Sequence, residues 1–314
     1  MRSKNSNKKI VFLVPQKVHL LDLTGPAHVF YEAKDAGKPL DIVFVNFSKT
    51  TNVSSSAGLV FSDLISLDTL DVKAGDFIII PGSENILKVI KQDYQFLKHF
   101  KYWSEKGINL CSICVGVFWL AEAGLLKSKK STTHWRYLDT LKERYPETIV
   151  QKENLFVIED NLFMSAGVSS GIDLSLFILE KLYGYNIATA ISKEIVYYFR
   201  RAGGDPQLSK YLDYKNHKDV SIHRAQDYIM NNLNKKITHH DLATELNMSK
   251  RNLSRKFKNT THLTIGEYIK MIRLERAKHL LSKGNKIHII ANECGYKSTN
   301  QLRELLKIDA MSEY

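Results

Sequence analysis

One pattern occurs twice in the last third of this chain, and it confines that region to short paired helices. Leu242-Ala243-Thr244-Glu245-Leu246-Asn247-Met248-Ser249 is followed by Leu253 and Phe257. Ile290-Ala291-Asn292-Glu293-Cys294-Gly295-Tyr296-Lys297-Ser298 is followed by Leu302 and Leu306. The second copy is one residue longer between its Ala and its first Leu anchor, so the turn lengthens while both helices keep their phase. A small Ala lets the helices approach. Asn247 and Gly295 tolerate the left-handed turn conformation, and Ser249 and Ser298 suit the N-cap of the following helix. Two helix-turn-helix units separated by one helix are suited to two adjacent major grooves of DNA.

The surrounding residues support an all-α C-terminal domain. Ile222, Ala225, Ile229 and Leu233 have the spacing of a buried helix face. Thr238 with Asp241, and Thr264 with Glu267, read as capping boxes. The helix opened by Thr264 should carry an apolar stripe of Tyr268, Ile269, Ile272, Ala277, Leu280 and Leu281. Ile287, Ile290, Ala291 and Cys294 form the next stripe.

Charge is unevenly placed. The whole chain of 314 residues carries a formal net charge of +12. Residues 215–314 hold 19 Lys and Arg against 10 Asp and Glu, so +9 falls in the last hundred residues. A basic region that coincides with paired helix-turn-helix units points to double-stranded DNA as partner. The three cysteines, Cys111, Cys114 and Cys294, show neither metal-ligand spacing nor a disulfide framework. No metal site and no cofactor is expected from them. The apolar run Ile10-Val11-Phe12-Leu13-Val14 is too short for a signal-peptide core, and no stretch is long enough to span a bilayer. A cytoplasmic protein without membrane contact is expected.

The first two-thirds alternate strand and helix. Strands are predicted at residues 10–14, 41–47, 76–80, 108–113 and 162–165. Helices are predicted to open at Thr24-Gly25-Pro26 and to cover 94–106, 117–123 and 172–182. That order predicts a mostly parallel, flavodoxin-like sheet with helices on both faces. Cys114 stands where a strand runs into a helix, with Gly116 two residues on. This is the pattern of a nucleophile elbow, and a helix N-terminus lowers a thiol's pKa. The plain alternative is a buried small hydrophobe, the usual fate of a free cysteine.

Ser112-Ile113-Cys114-Val115-Gly116, then Leu120-Ala121-Glu122-Ala123-Gly124-Leu125-Leu126 and Thr132-Thr133-His134-Trp135, resemble the ThiJ/PfpI family of the class I glutamine amidotransferase-like fold. Asp22-Leu23-Thr24-Gly25-Pro26, Pro81-Gly82-Ser83 and Ser165-Ala166-Gly167 fit the same pattern. The resemblance implies that Cys114 faces Asp22. It also implies that backbone N–H groups near Gly82, Ser83 and Val115 line an oxyanion-type pocket, with His134 near its opening. Protease-like members carry a His directly after the Cys, where this chain has Val115. By pattern the nearest enzymes are isonitrile hydratases, which also pair Cys with Asp.

Residues 219–314 resemble the AraC/XylS family of transcription regulators. The matching residues are Leu242-Ala243, Met248-Ser249, Arg251, Leu253, Arg255-Lys256-Phe257-Lys258, Tyr268, Arg273-Leu274, Ala277, Leu280-Leu281, Ile290-Ala291, Gly295-Tyr296 and Ser298. With Leu253 and Phe257 inward, Arg251, Ser254 and Arg255 project toward a groove, and their family counterparts touch base edges. Lys250, Lys256 and Lys258 read as phosphate contacts or solvated charges. Thr299, Asn300 and Arg303 occupy the comparable face of the second unit. This chain departs from the family at His262 and Ile265, and at Glu304, where an Arg is usual. It also has a shorter closing segment.

These readings predict a sensor domain at 9–205, a linker at 206–218 and a DNA-binding domain at 219–314. The expected protein is a transcription regulator rather than an enzyme. It would respond to a small-molecule effector, act as a homodimer, and contact RNA polymerase if it activates. A thiol enzyme using Cys114 and Asp22, or a cysteine redox sensor, are the alternatives.

Overall fold

Ile10, Val11, Phe12, Leu13 and Val14 are all fully buried in the computed structural model. A strand achieves that only when both faces of its sheet are covered. The structure describes residues 7–48, 50, 52–90, 94–197, 201–204, 207, 214–282 and 285–312. The chain divides into two compact units, Met1–Gln207 and Leu208–Tyr314.

In chain order the first unit holds β1 (Lys8–Val14), α1 (Leu20–Asp35), β2 (Leu40–Asn46), β3 (Val53–Ser54), β4 (Val60–Phe61), β5 (Ile65–Ser66), β6 (Phe77–Ile80), α2 (Ile86–Val89), α3 (Tyr94–Glu105), β7 (Asn109–Ile113), α4 (Val117–Glu122), β8 (Lys130–Ser131), α5 (Leu138–Arg144), β9 (Ile149–Val150), β10 (Phe156–Glu159), β11 (Leu162–Ser165), α6 (Ser170–Tyr183) and α7 (Tyr185–Glu194). Seven strands form one sheet in the order β10-β11-β7-β6-β1-β2-β5. The pairs are parallel except β10 with β11. The mostly parallel, flavodoxin-like sheet expected from the sequence is therefore present. Helices α1, α6 and α7 pack on one another, while α3 packs on α4 and β7. After β5 the chain returns to the other side of β1 to place β6. The strand order reverses there, and the crevice outside the carboxyl ends of β1 and β6 is where open α/β sheets bind ligands.

The first helix begins at Leu20, not at Thr24-Gly25-Pro26, and Pro26 lies inside it. Leu23, Pro26, Val29, Phe30 and Ala33 are its buried stripe. Burying Leu23 extends the helix backwards, and this outweighs the one backbone bond that Pro26 cannot donate. The edge strand β10 was not expected either. Its link to β11 is the two-residue turn Asp160-Asn161, with Asp160 at φ 55°. Left-handed turns of this kind suit hairpins.

The second unit holds α8 (Val220–Asn231), α9 (His239–Glu245), α10 (Lys250–Thr261), α11 (Ile265–Ser282), α12 (Ile287–Glu293) and α13 (Thr299–Ser312). It has two small cores. Ile222, Ala225, Ile229, Leu242, Leu253, Phe257, Tyr268 and Ile272 make the first. Ala277, Ile290, Ala291, Cys294 and Leu302 make the second. The 18-residue helix α11 is about 27 Å long and serves both. Its buried face turns between them, which leaves Leu281 of the expected stripe 36% exposed. Of the predicted linker, residues 206 and 208–213 lie outside the described residues. So do the side chains of the closing segment from 308 onward.

Asp219 caps α8, accepting from the N–H groups of Ser221 and Ile222. Partial burial would raise its carboxyl. The Ser221 hydroxyl, the Lys256 ammonium and the Ile222 N–H outweigh this and hold it at about 2. The folded pKa lies below the ordinary carboxylate value of about 3.9. The cap's contribution is thus complete above about pH 4 and lost as pH falls toward about 2. Asp219→Ala should cost about 0.5–2 kcal/mol at pH 7. Urea melts at pH 7 and pH 2.5 should show the difference shrinking; an equal cost at both would refute it.

Candidate functional site

Strand β7 ends at Ile113, and the chain turns sharply through Cys114 at φ +58° into a 3-10 turn, Cys114–Gly116, before α4. A side chain held at positive φ is strained, and its neighbours must enforce it. Gly116 lies so close to β6 that an added Cβ would stand 2.1 Å from the Ile80 carbonyl oxygen. Gly167, at φ +91°, follows β11, and its Cβ would stand 2.2 Å from Cys114 Cβ. The elbow is thus clamped between two backbone segments that only glycine permits. The Thr133 hydroxyl donates to the Cys114 carbonyl at 2.9 Å from a third side.

Asp22 comes from the first turn of α1 and is 1% exposed. Its Oδ1 accepts the Val168 N–H at 2.7 Å. Its Oδ2 makes no hydrogen bond, although His19 Nδ1 stands 3.5 Å away. Gly82 presses on the same carboxylate, since a Cβ there would lie 2.7 Å from Oδ2. Burial pushes the Cys114 thiol up, and the charge of the facing Asp22 carboxylate pushes it further. The Val115 N–H on sulfur acts the other way but is outweighed. The lowered thiol expected from the helix N-terminus is therefore overturned. One backbone donor cannot offset desolvation and a facing carboxylate.

The structure brings together Cys114, Asp22, Gly82 and Val115. Ser83 and Val115 line a cavity of about 530 Å³ with His19, Asn85, Leu87 and Tyr137. His134 lies near enough to feel the charges of Asp22 and His19. Burial holds its imidazole below the ordinary range, and Arg136 adds to this. Its Nδ1 accepts the Arg136 N–H at 3.3 Å, so it is turned to its own loop. His19 escaped the sequence reading, though its i, i+3 spacing from Asp22 on a helix start was the available signal. Cys111 and Cys294 are buried hydrophobes.

In the second unit both turns adopt the left-handed conformation, Asn247 at φ 52° and Gly295 at φ 68°. Ser249 caps α10 by accepting from Asn252 N at 3.3 Å, and Ser298 accepts from Gln301 N at 3.2 Å. Leu253 and Phe257 are fully buried. Lys250, Arg251, Arg255 and Lys258 are exposed, and Ser254 is half-buried at the margin of that face. Asn252 and Asn259 border the same face, in an open cleft with Arg255. On α13, Asn300, Arg303 and Glu304 are exposed, and Thr299 is half-buried. Lys256, expected to be a phosphate contact or a solvated charge, is instead bound to Ser221 Oγ at 2.7 Å and Asp219 Oδ2 at 3.1 Å. It ties α10 to the cap of α8.

Residues 8–181 match the profile of the DJ-1/PfpI family, more than half of the chain. The chain belongs to the DJ-1/PfpI family. Beyond that family's domain, residues 242–308 match the profile of a helix-turn-helix domain, of AraC type. The chain is 27% identical over 232 residues to the HTH-type transcriptional regulator GbdR of Pseudomonas aeruginosa, covering 74% of this chain and 62% of that one. It is 29% identical over 189 residues to isonitrile hydratase of Pseudomonas putida, covering 60% of this chain and 78% of that one. It therefore spans about three-fifths of the regulator's length and most of the hydratase's. Among solved structures, a THiJ/PfpI family protein from Pseudomonas syringae superposes with a TM-score of 0.55 at 21% identity, over 76% of this chain and 89% of that one. That likeness supports the fold of the DJ-1/PfpI domain. No described helix is long and apolar enough to cross a membrane.

Proposed function

We propose that this chain is a cytoplasmic, DNA-binding transcription regulator whose DJ-1/PfpI domain, residues 9–205, senses a small metabolite and dimerises. In this reading residues 206–218 are the linker and 219–314 the DNA-binding domain. The observation that carries it is the face of α10. Arg251, Arg255 and Lys258 stand exposed on a helix capped at Ser249 and anchored by Leu253 and Phe257. A rigid helix presenting arginines is what a major groove reads. The name of the regulator relative supports the same reading. The effector binds one arrangement of the protein better than another and so biases how the DNA-binding helices are presented. An activator would also contact RNA polymerase.

Arg251→Ala or Arg255→Ala should each weaken operator binding by about 1–3 kcal/mol and relax sequence preference. Operators from genome-wide mapping, assayed by gel shift at fixed salt, provide the measurement. Unchanged affinity in both variants would take α10 out of the groove.

Glu304 is a carboxylate on the α13 face where phosphate would lie, and repulsion there weakens the second unit. Glu304→Arg should tighten binding and steepen the salt dependence by about one unit of slope. A titration between low and physiological salt that leaves the slope untouched would place residue 304 away from the backbone.

The second reading, a thiol enzyme of the isonitrile hydratase type, is favoured by the Cys114–Asp22 pairing and by that relative's name. The raised thiol and Val115 in place of a histidine argue for the sensor. Multiple turnover of an isonitrile, abolished by Cys114→Ser and by Asp22→Asn, would decide for the enzyme.

A further inference from the structure

We propose that His19, Asp22 and Cys114 form a three-ligand site for a divalent cation of the zinc class, with its fourth position open to the adjoining cavity. The site goes beyond the regulatory reading and does not rest on it. An imidazole nitrogen, a carboxylate oxygen and a sulfur lie within 4.8 Å of one another. Protein ligands of tetrahedral zinc sit about 2.0–2.3 Å from the metal, which puts them about 3.3–3.8 Å apart. His19 Nδ1 and Asp22 Oδ2 already stand at 3.5 Å.

A second observation points the same way. Asp22 Oδ2 belongs to a side chain only 1% exposed and makes no hydrogen bond. A buried carboxylate oxygen left in that state is costly unless a cation meets it. Oδ1 is meanwhile fixed by the Val168 N–H at 2.7 Å, which orients the carboxylate as an outer-shell partner orients a metal ligand. The donor set selects the ion. One thiolate, one imidazole and one carboxylate suit zinc or cobalt, and a sulfur donor disfavours magnesium and calcium. Three protein ligands with an open fourth position form a site that can hold a water or a small coordinating ligand. His19 and Val115 both line the cavity, so that position opens there. His19 is partly exposed, so its ring has room to turn toward the sulfur. On binding, the Cys114 proton leaves to solvent and the sulfur–metal bond replaces it.

The test uses the full chain without a histidine tag, stripped with chelator and titrated with Co²⁺ and then Zn²⁺. One equivalent of Co²⁺ per chain should bind, giving a thiolate-to-cobalt charge-transfer band that Zn²⁺ abolishes. Cys114→Ser should remove the band, and Cys294→Ala should leave it. Because Asp22 and Cys114 are buried, the decisive variant is His19→Gln, whose side chain reaches the cavity. It should weaken Co²⁺ binding by more than the roughly 10–100-fold typical of outer-shell changes. No band at one equivalent, a band unaltered in affinity by His19→Gln, or a band lost in Cys294→Ala would each overturn the proposal.

Discussion

Phe257→Ala should destabilise the second unit by about 3–5 kcal/mol and abolish operator binding. The ring is fully buried. It meets Tyr268 edge-on at 5.4 Å between ring centres, and Tyr268 meets Tyr214 in the same way at 6.2 Å. Alanine therefore leaves a cavity at the end of an aromatic row, in the core against which α10 packs. Domains of this size are stable by about 5–15 kcal/mol in total, so the loss is a large fraction. Calorimetry of the full chain should show one early transition fall steeply and the transition of the DJ-1/PfpI domain remain. A single transition lowered as a whole would mean that the two units unfold together.

Gly167→Ala should do the converse. Its Cβ would meet Cys114 Cβ at 2.2 Å and Cα at 2.7 Å, at a backbone φ of +91°. The left-handed conformation and the overpacking together should cost about 2–5 kcal/mol in the first unit. The elbow must retreat, and the Val168 N–H beside it must leave Asp22 Oδ1, now 2.7 Å away. Alkylation of Cys114 should quicken relative to Cys111, which is fully buried within β7. DNA affinity without effector should stay near that of the unaltered protein. Slow, unchanged alkylation together with an unchanged melting temperature would show that the clamp is not as tight as its geometry.

What the sequence displayed, and what it hid, follows from the range of the forces involved. The capping boxes, the left-handed Asn247 and Gly295, and the inward Leu253 and Phe257 are local, and all were legible. So was the elbow, because a strand, a cysteine and a glycine are contiguous there. The start of α1 was misplaced because Pro26 is a local signal, whereas burial of Leu23 is a tertiary one. Strand β10 was missed because only four residues pair, at an edge with one neighbour. Its Asp160-Asn161 turn was the neglected cue. Lys256 looked like its free neighbours until α8 brought Asp219 to it. His19 is the most consequential omission. The cysteines alone show no metal spacing, whereas His19, Asp22 and Cys114 come from the start of α1 and the end of β7 and meet only through the sheet order. The thiol's direction of shift was misjudged for a related reason: the facing carboxylate is a long-range fact.

One feature of the first unit links its interior to its end. Gln207 Nε2 donates to Thr132 Oγ1 at 2.9 Å and to the Thr133 carbonyl at 3.0 Å. The Thr133 hydroxyl holds the Cys114 carbonyl at 2.9 Å. One threonine thus separates the cysteine from the residue through which the polypeptide leaves the unit. The elbow and that exit are joined by two hydrogen bonds through Thr133, a route that does not pass through the sheet. The mooring of Gln207 and the seat of the thiol share a fastening, so Thr133 is the residue at which a change to one would be felt by the other.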